Sequence, residues 1–201
     1  MRVTLFDYGA GNLHSLAKAV QGDNRDVRLE TDPRAALDTD VLLLPGVGAF
    51  GPAARALAPG REAMRDALRD GLPCLGICLG MQLLFDGSAE GEGAGLGVVA
   101  GRVDRLHAKR TPQIGWNTIE EMRDPIFAAA GLDTAYYANA FACRPEDESL
   151  VVAWSTHEGD RFPAAVRAGN TVGVQFHPEK SSAAGLRFVR EFLGAITRTT
   201  R

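Results

Sequence analysis

What this chain has little of narrows it first. Three cysteines, Cys74, Cys78 and Cys143, form an odd set without paired metal-ligand spacing, which argues against a disulfide framework and against a zinc site. No apolar stretch is long enough to cross a bilayer, and Met1-Arg2-Val3-Thr4-Leu5-Phe6-Asp7 reaches an acidic residue before a signal-peptide core can develop. A cytoplasmic location without a membrane partner is therefore expected. The formal charge is only -3 and the arginines are scattered, so the footprint of a nucleic-acid binder is missing as well. No glycine-rich stretch ends in Gly-Lys-Ser/Thr or matches a dinucleotide fingerprint, which disfavours phosphate cradling.

Apolar material for one sizeable core is present: 45% of the 201 residues are hydrophobic. A single domain over residues 1–201 is expected, with no internal repeat. Short apolar runs at 3–6, 27–30, 41–44 and 73–77 read as strands, and the continuous run at 41–44 suits a parallel sheet covered on both faces by helices. Helices are expected at 13–20, 61–70 and 79–85. A final helix, capped by Ser181 or Ser182, would bury Leu186, Val189, Phe192 and Leu193. Residues 164–167 and 171–176 read as a hairpin turned by Gly169-Asn170. Residues 86–101, rich in Gly and Ala, read as a mobile surface loop. From 102 to 155 the character changes. Strand candidates at 103–106, 118–121, 135–137 and 150–155 are spaced like an antiparallel layer, with a short helix at 125–130. The expected fold class is α/β, a mainly parallel central sheet with helices on both faces and an additional antiparallel β layer.

The most informative stretch is Gly76-Ile77-Cys78-Leu79-Gly80-Met81-Gln82, an apolar strand turning at once into a helix with a cysteine at the turn. Flanking glycines let the backbone fold sharply, so the sulfur projects beside a helix N-terminus, where negative charge is stabilised and a nearby imidazole would favour the thiolate further. Cys74 sits inside the strand as a small buried hydrophobe, and Cys143 has no assignable partner. His177-Pro178-Glu179 follows the last strong strand and so belongs at the same carboxyl edge of the sheet, where open parallel sheets bind their ligands. A cysteine nucleophile needs a base, and that base gains from an acidic orienter; Pro178 stiffens the turn so that His177 and Glu179 can point to one side. His14, His107 and His157 have no such context. Pro45-Gly46-Val47-Gly48-Ala49-Phe50-Gly51 is either a plain turn or a source of backbone N–H groups for a developing oxyanion.

Gly76-x-Cys78-x-Gly80-x-Gln82 together with Phe176-His177-Pro178-Glu179 resembles the triad class of glutamine amidotransferases. Within that class, Asp7-Tyr8-Gly9-x-Gly11-Asn12-Leu13-x-Ser15, Pro45-Gly46-Val47-Gly48 and Gly115-Trp116-Asn117 are similar to the glutaminase subunits of imidazole glycerol phosphate synthase, over nearly the whole chain. The resemblance implies a flavodoxin-like fold and hydrolysis of glutamine to glutamate and ammonia through a cysteine thioester, without metal or organic cofactor. It also implies a heterodimer with a (β/α)8-barrel cyclase. That partner takes up the ammonia and makes imidazole glycerol phosphate and aminoimidazole carboxamide ribonucleotide in histidine biosynthesis.

The roles implied are Cys78 as nucleophile, His177 as acid-base and Glu179 as orienter, with the backbone amides of Val47 and Leu79 as the oxyanion hole. Gly48 and Gln82 would hold glutamine together with Asn139-Ala140-Phe141, which stand where the family usually has histidine-serine-tyrosine. Asn12, Trp116 and Lys180 would meet the partner. The nearest alternative is the glutaminase of anthranilate or pyridoxal phosphate synthesis, against which Gly115-Trp116-Asn117 and the N-terminal pattern weigh. Two further alternatives are a binding module that keeps the fold without turnover and a cysteine hydrolase acting on other γ-glutamyl compounds.

Overall fold

Alternation along the central strands decides the architecture. Val3 and Leu5, Val41 and Leu43, Leu75 and Ile77 bury into one apolar cluster, whereas Phe6, Leu42, Leu44 and Cys74 bury into another. A sheet apolar on both faces needs cover on both, and each large aliphatic side chain removed from water contributes about 2 kcal/mol toward that arrangement. The computed structural model describes residues 1–9, 13–22, 25–46 and 48–199, so the expectations for Asn12 and Val47 lie outside the described residues.

In chain order the elements are β1 (Arg2–Phe6), α1 (His14–Val20), β2 (Asp26–Glu30), β3 (Val41–Leu44), α2 (Phe50–Leu57), α3 (Arg61–Arg69), β4 (Cys74–Ile77), α4 (Leu79–Leu83), β5 (Gly87–Ser88), β6 (Gly101–Arg105) and β7 (Gln113–Thr118). They continue with α5 (Pro125–Ala130), β8 (Thr134–Asn139), β9 (Phe141–Pro145), β10 (Val151–His157), β11 (Asp160–Ala168), β12 (Thr171–Val174) and α6 (Ser182–Thr199). Among the described residues the main sheet runs β10-β11-β12-β4-β3-β1-β2. The strands from β12 to β2 pair in parallel, and β10 and β11 join antiparallel at one edge. Helices α1, α5 and α6 pack into the first cluster and α2, α3 and α4 into the second, giving the expected helix cover on both faces.

Several local forms follow from single residues. The short helix α5 matches its expected span because Asp124 accepts from the Ile126 amide at 3.0 Å, Pro125 opens the helix, and Gly131 closes it in the left-handed region. Helix α4 stops at Leu83 rather than 85, and the chain continues in a tighter turn in which Phe85 N donates to Gln82 O. In α6 the side chains of Phe188, Val189, Phe192 and Leu193 are buried while Leu186 is half-buried, one step from the expected face.

Four expectations need correction. Residues 86–101 are not a surface loop free of the core: Leu96 and Val99 are buried, and the amides of Leu96 and Val98 donate to Leu83 O and Leu84 O. Glycine here reflects close packing, since a Cβ on Gly95 would lie 1.9 Å from Phe85 O. The loop after β3 is shorter than expected because α2 begins at Phe50; its i, i+3, i+4, i+7 set of Phe50, Ala53, Ala54 and Leu57 is buried, and Pro52 is tolerated in the first turn. The strand expected at 118–121 lies earlier, as β7, where Gly115 breaks the apolar pattern. The additional antiparallel layer is present as two small sheets, β5-β6-β9 and β7-β8, but the strand expected in it at 150–155 is β10, which extends the main sheet instead.

Candidate active site

Adjacent parallel strands deliver the site. β3, β4 and β12 are neighbours, with Leu44 level with Gly76 and Val174 level with Ile77, so the residues that leave their carboxyl ends converge. Cys78 follows β4 directly, and its amide donates to Val174 O at 2.7 Å. Its backbone stands at φ 47°, ψ −102°, a conformation that costs a non-glycine residue about 1–3 kcal/mol and persists only where the surroundings impose it. The surroundings are tight: a Cβ on Gly80 would lie 1.9 Å from Leu44 O, and one on Gly46 would lie 3.0 Å from both Cys78 Cβ and His177 Cε1. The glycine turn after β3 therefore passes directly against Cys78 and His177.

His177 and Glu179 meet as expected, with Nδ1 2.8 Å from Oε1 across the Pro178 turn. Cys78 stands close by, since a Cβ on Gly46 would touch both side chains. Burial is the largest single influence on the imidazole and opposes its charge. The attraction of Cys78 and of Glu179 outweighs it and raises the pKa to about 10. An imidazolium paired with a carboxylate beside a cysteine is set to return a proton to a leaving group. Cys74 and Cys143 are fully buried and their thiols are pushed up by burial, so neither competes as a nucleophile.

Leu79 is the first residue of α4, directly after Cys78; Gly48 is exposed at φ 110°. Gln82 is buried and donates to Phe141 O at 3.2 Å, and Asn139, at the end of β8, donates to the same oxygen at 3.0 Å, with half-buried Ala140 between Asn139 and Phe141 in sequence. Gln175 escaped the sequence reading although it contacts Cys78 Sγ at 3.5 Å. The available signal was alternation, which places residues 175 and 177 on one side of the emerging strand. Trp116 and Lys180 lie outside the pocket: Trp116 is 56% exposed, its ring 6.4 Å edge-on from Tyr136, and Lys180 Nζ stands 5.9 Å over the same Tyr136 ring.

The site is closed, with Cys78 7%, His177 3% and Gln82 5% exposed. A hollow of about 770 Å³ opens at the opposite, amino edge of the sheet between α5 and α6 and contains none of these residues. Among the described residues no cluster of three His, Cys, Asp or Glu is arranged to hold a metal ion, and no helix is long and apolar enough to cross a membrane.

Solved structures share this fold. A glutamine amidotransferase aligns with TM-score 0.70 at 21% identity, covering 97% of this chain and 98% of that one. PurLQS from Thermotoga maritima aligns with TM-score 0.69 at 20% identity, covering 100% and 99%. The family model described as glutamine amidotransferase class-I matches residues 4–195, and the chain belongs to that family. Its curated relatives place it more narrowly. The imidazole glycerol phosphate synthase subunit HisH of Symbiobacterium thermophilum is 45% identical, covering 94% of this chain and 91% of the relative. That of Halobacterium salinarum is 41% identical, covering 95% and 92%. Within the amidotransferases the chain groups with these HisH subunits.

Proposed function

We propose that Cys78, His177 and Glu179 hydrolyse glutamine and that the ammonia is handed to a cyclase subunit. The observation carrying this reading is the strained Cys78 packed with His177 against Gly46, the histidine itself 2.8 Å from Glu179. Sγ attacks the γ-carboxamide carbon, forming the C–S bond, while the backbone amides of Leu79 and Val47 receive the oxyanion; such donors are each worth about 3 kcal/mol in related chemistry. His177 gives its proton to the amide nitrogen, and ammonia leaves. Water then adds to the thioester, His177 takes its proton, and the electrons of the C–S bond return to Sγ as glutamate departs. Gly48, Gln82 and the stretch Asn139-Ala140-Phe141 hold the glutamine. Glu179 keeps the imidazole in its working tautomer and supports its charge.

The chain acts as a single glutaminase domain, in the cytoplasm, beside a (β/α)8-barrel cyclase that makes imidazole glycerol phosphate and aminoimidazole carboxamide ribonucleotide. Its relatives are named as subunits, and the partner surface is the outer face of the β7–β8 ribbon. There Ile114 (69% exposed) and Trp116 face Ala138 and Tyr136 across the ribbon, with Lys180 alongside. Asn12 belongs to the same interface by family resemblance. A nucleophile only 7% exposed makes the isolated chain a slow glutaminase, and partner binding opens the site. The test is to mix the chain with the cyclase of the same source and measure glutamate release with and without the ribonucleotide substrate. Glutamate release that ignores both partner and ribonucleotide would overturn the coupled reading, and no release at all would overturn the glutaminase.

A further inference from the structure

Gln175 is fully buried, and its carboxamide spans the nucleophile and the residue assigned to the substrate. Its Nε2 lies 3.5 Å from Cys78 Sγ, and its Oε1 accepts from Gln82 Nε2 at 3.4 Å. The polarity of this chain of bonds is fixed from its far end. The carbonyl oxygen of Phe141 can only accept, so Gln82 turns its NH2 group toward it at 3.2 Å and toward Gln175. Gln175 must then answer with oxygen, which leaves its N–H donors facing the sulfur.

We propose that Gln175 is a further catalytic residue: it donates a hydrogen bond to Cys78 Sγ whenever the sulfur is charged, and it holds Gln82 with its acceptor end toward the ligand. The inference rests on the glutaminase reading above. A donor on sulfur favours the thiolate, the more so in a site closed to water. The sulfur is charged before attack and again when the thioester C–S bond breaks, and neutral between. A thiolate stabilised in this way is a weaker nucleophile but a better leaving group, so the bond assists deacylation most. Gln82, with its N–H groups engaged by Phe141 O and Gln175 Oε1, has only Oε1 to offer. It therefore selects a ligand bearing N–H donors, a carboxamide or an ammonium, over one presenting oxygen alone.

The other titratable groups near Sγ are His177, with Glu179 behind it, and Cys143 on β9. Burial keeps Cys143 protonated; Cys78 pushes the same way and Arg144 pulls against. Its uncharged thiol leaves the donor from Gln175 as a separable influence on the nucleophile.

Gln175→Met keeps length and removes the donor. The first measurement is the pH dependence of Cys78 alkylation by iodoacetamide, in the intact chain without glutamine, with the adduct located by peptide mass spectrometry. The second is kcat and KM for glutamine with the cyclase present. Gln175→Met is expected to move the alkylation midpoint up by about one pH unit, to lower kcat about tenfold, and to accumulate a glutamyl adduct on Cys78. Gln82→Met is expected to raise KM about tenfold while the alkylation midpoint stays in place. An alkylation profile for Gln175→Met that superimposes on the wild-type curve overturns the proposal. Should Gln175→Met fail a thermal-melting check, Gln175→Asn, which draws the amide back by one methylene, is held to the same outcomes. A wild-type chain that alkylates normally yet releases no glutamate with its partner would instead sink the glutaminase reading.

Discussion

The main-chain amide of His177 donates to the carbonyl of Tyr136 at 2.8 Å, so the turn carrying His177 and the exposed aromatic ribbon hang together through backbone. Ser181 closes the link: its hydroxyl donates to His177 O at 2.7 Å and accepts from Tyr136 N at 2.9 Å. Pressure on the ribbon at Trp116 or Tyr136 is therefore passed to the segment that carries His177 and Glu179.

Ser181→Ala leaves the Tyr136 amide without its acceptor and the His177 carbonyl without its hydroxyl donor. The expected cost is about 1–3 kcal/mol of stability, with a fall in kcat of about tenfold. Urea denaturation and glutamate release measure the two effects, and a variant that matches the parent in both removes the link between ribbon and histidine.

Trp116→Ala touches little within the chain, because the side chain is 56% exposed. Folding stability should stay within about 0.5 kcal/mol, while association with the cyclase weakens by about 2 kcal/mol, close to thirtyfold in Kd. Calorimetric titration reads the second value. An unchanged Kd places the partner elsewhere.

Cys78→Ala and Cys78→Gly should both lose glutamine hydrolysis, by at least about a thousandfold. They should differ in stability. With φ at 47°, ψ at −102°, alanine retains the strain and glycine relieves it, so the glycine variant is expected to be more stable than the alanine variant by about 1 kcal/mol. Equal denaturation midpoints would show that the surroundings do not strain this turn.

The pH dependence follows from His177. Its pKa is raised from 6.5 to about 10 in the folded chain, so protonation favours folding. That contribution is full below pH 6.5 and drains away as the pH rises through about 10. The proton needed by departing ammonia is likewise present through neutral pH and lost at the alkaline end. Glu179→Gln removes one support for the charge and should move the alkaline limb of kcat to lower pH, with residual activity above that of His177→Ala. A limb that stays in place in Glu179→Gln assigns it to another group.

The parallel strands, α3, α5 and the turn that carries Cys78 were legible because each is encoded locally, by a continuous apolar run, by Asp124-Pro125 opening and Gly131 closing a helix, or by glycines around a cysteine. Gln175 was not legible, because a glutamine at a strand end acquires meaning only when β12 is paired with β4 and its amide meets Cys78. Residues 86–101 misled for a related reason. Glycines in a mobile loop and glycines pressed against neighbouring carbonyls have the same composition, and the packing of Leu96 and Val99 distinguishes them. The place of β10 at the edge of the main sheet likewise depends on its antiparallel pairing with β11, which joins chain segments whose own pattern fits either sheet.

The burial of Cys78 also bears on peroxide. Sulfenic acid formation at a cysteine follows its reactivity and its exposure together. At 7% exposure Cys78 has little of the second in the resting chain. Oxidative inactivation should then track turnover: a chain idling without its partner loses its thiol slowly, and one opened for glutamine loses it faster while it works.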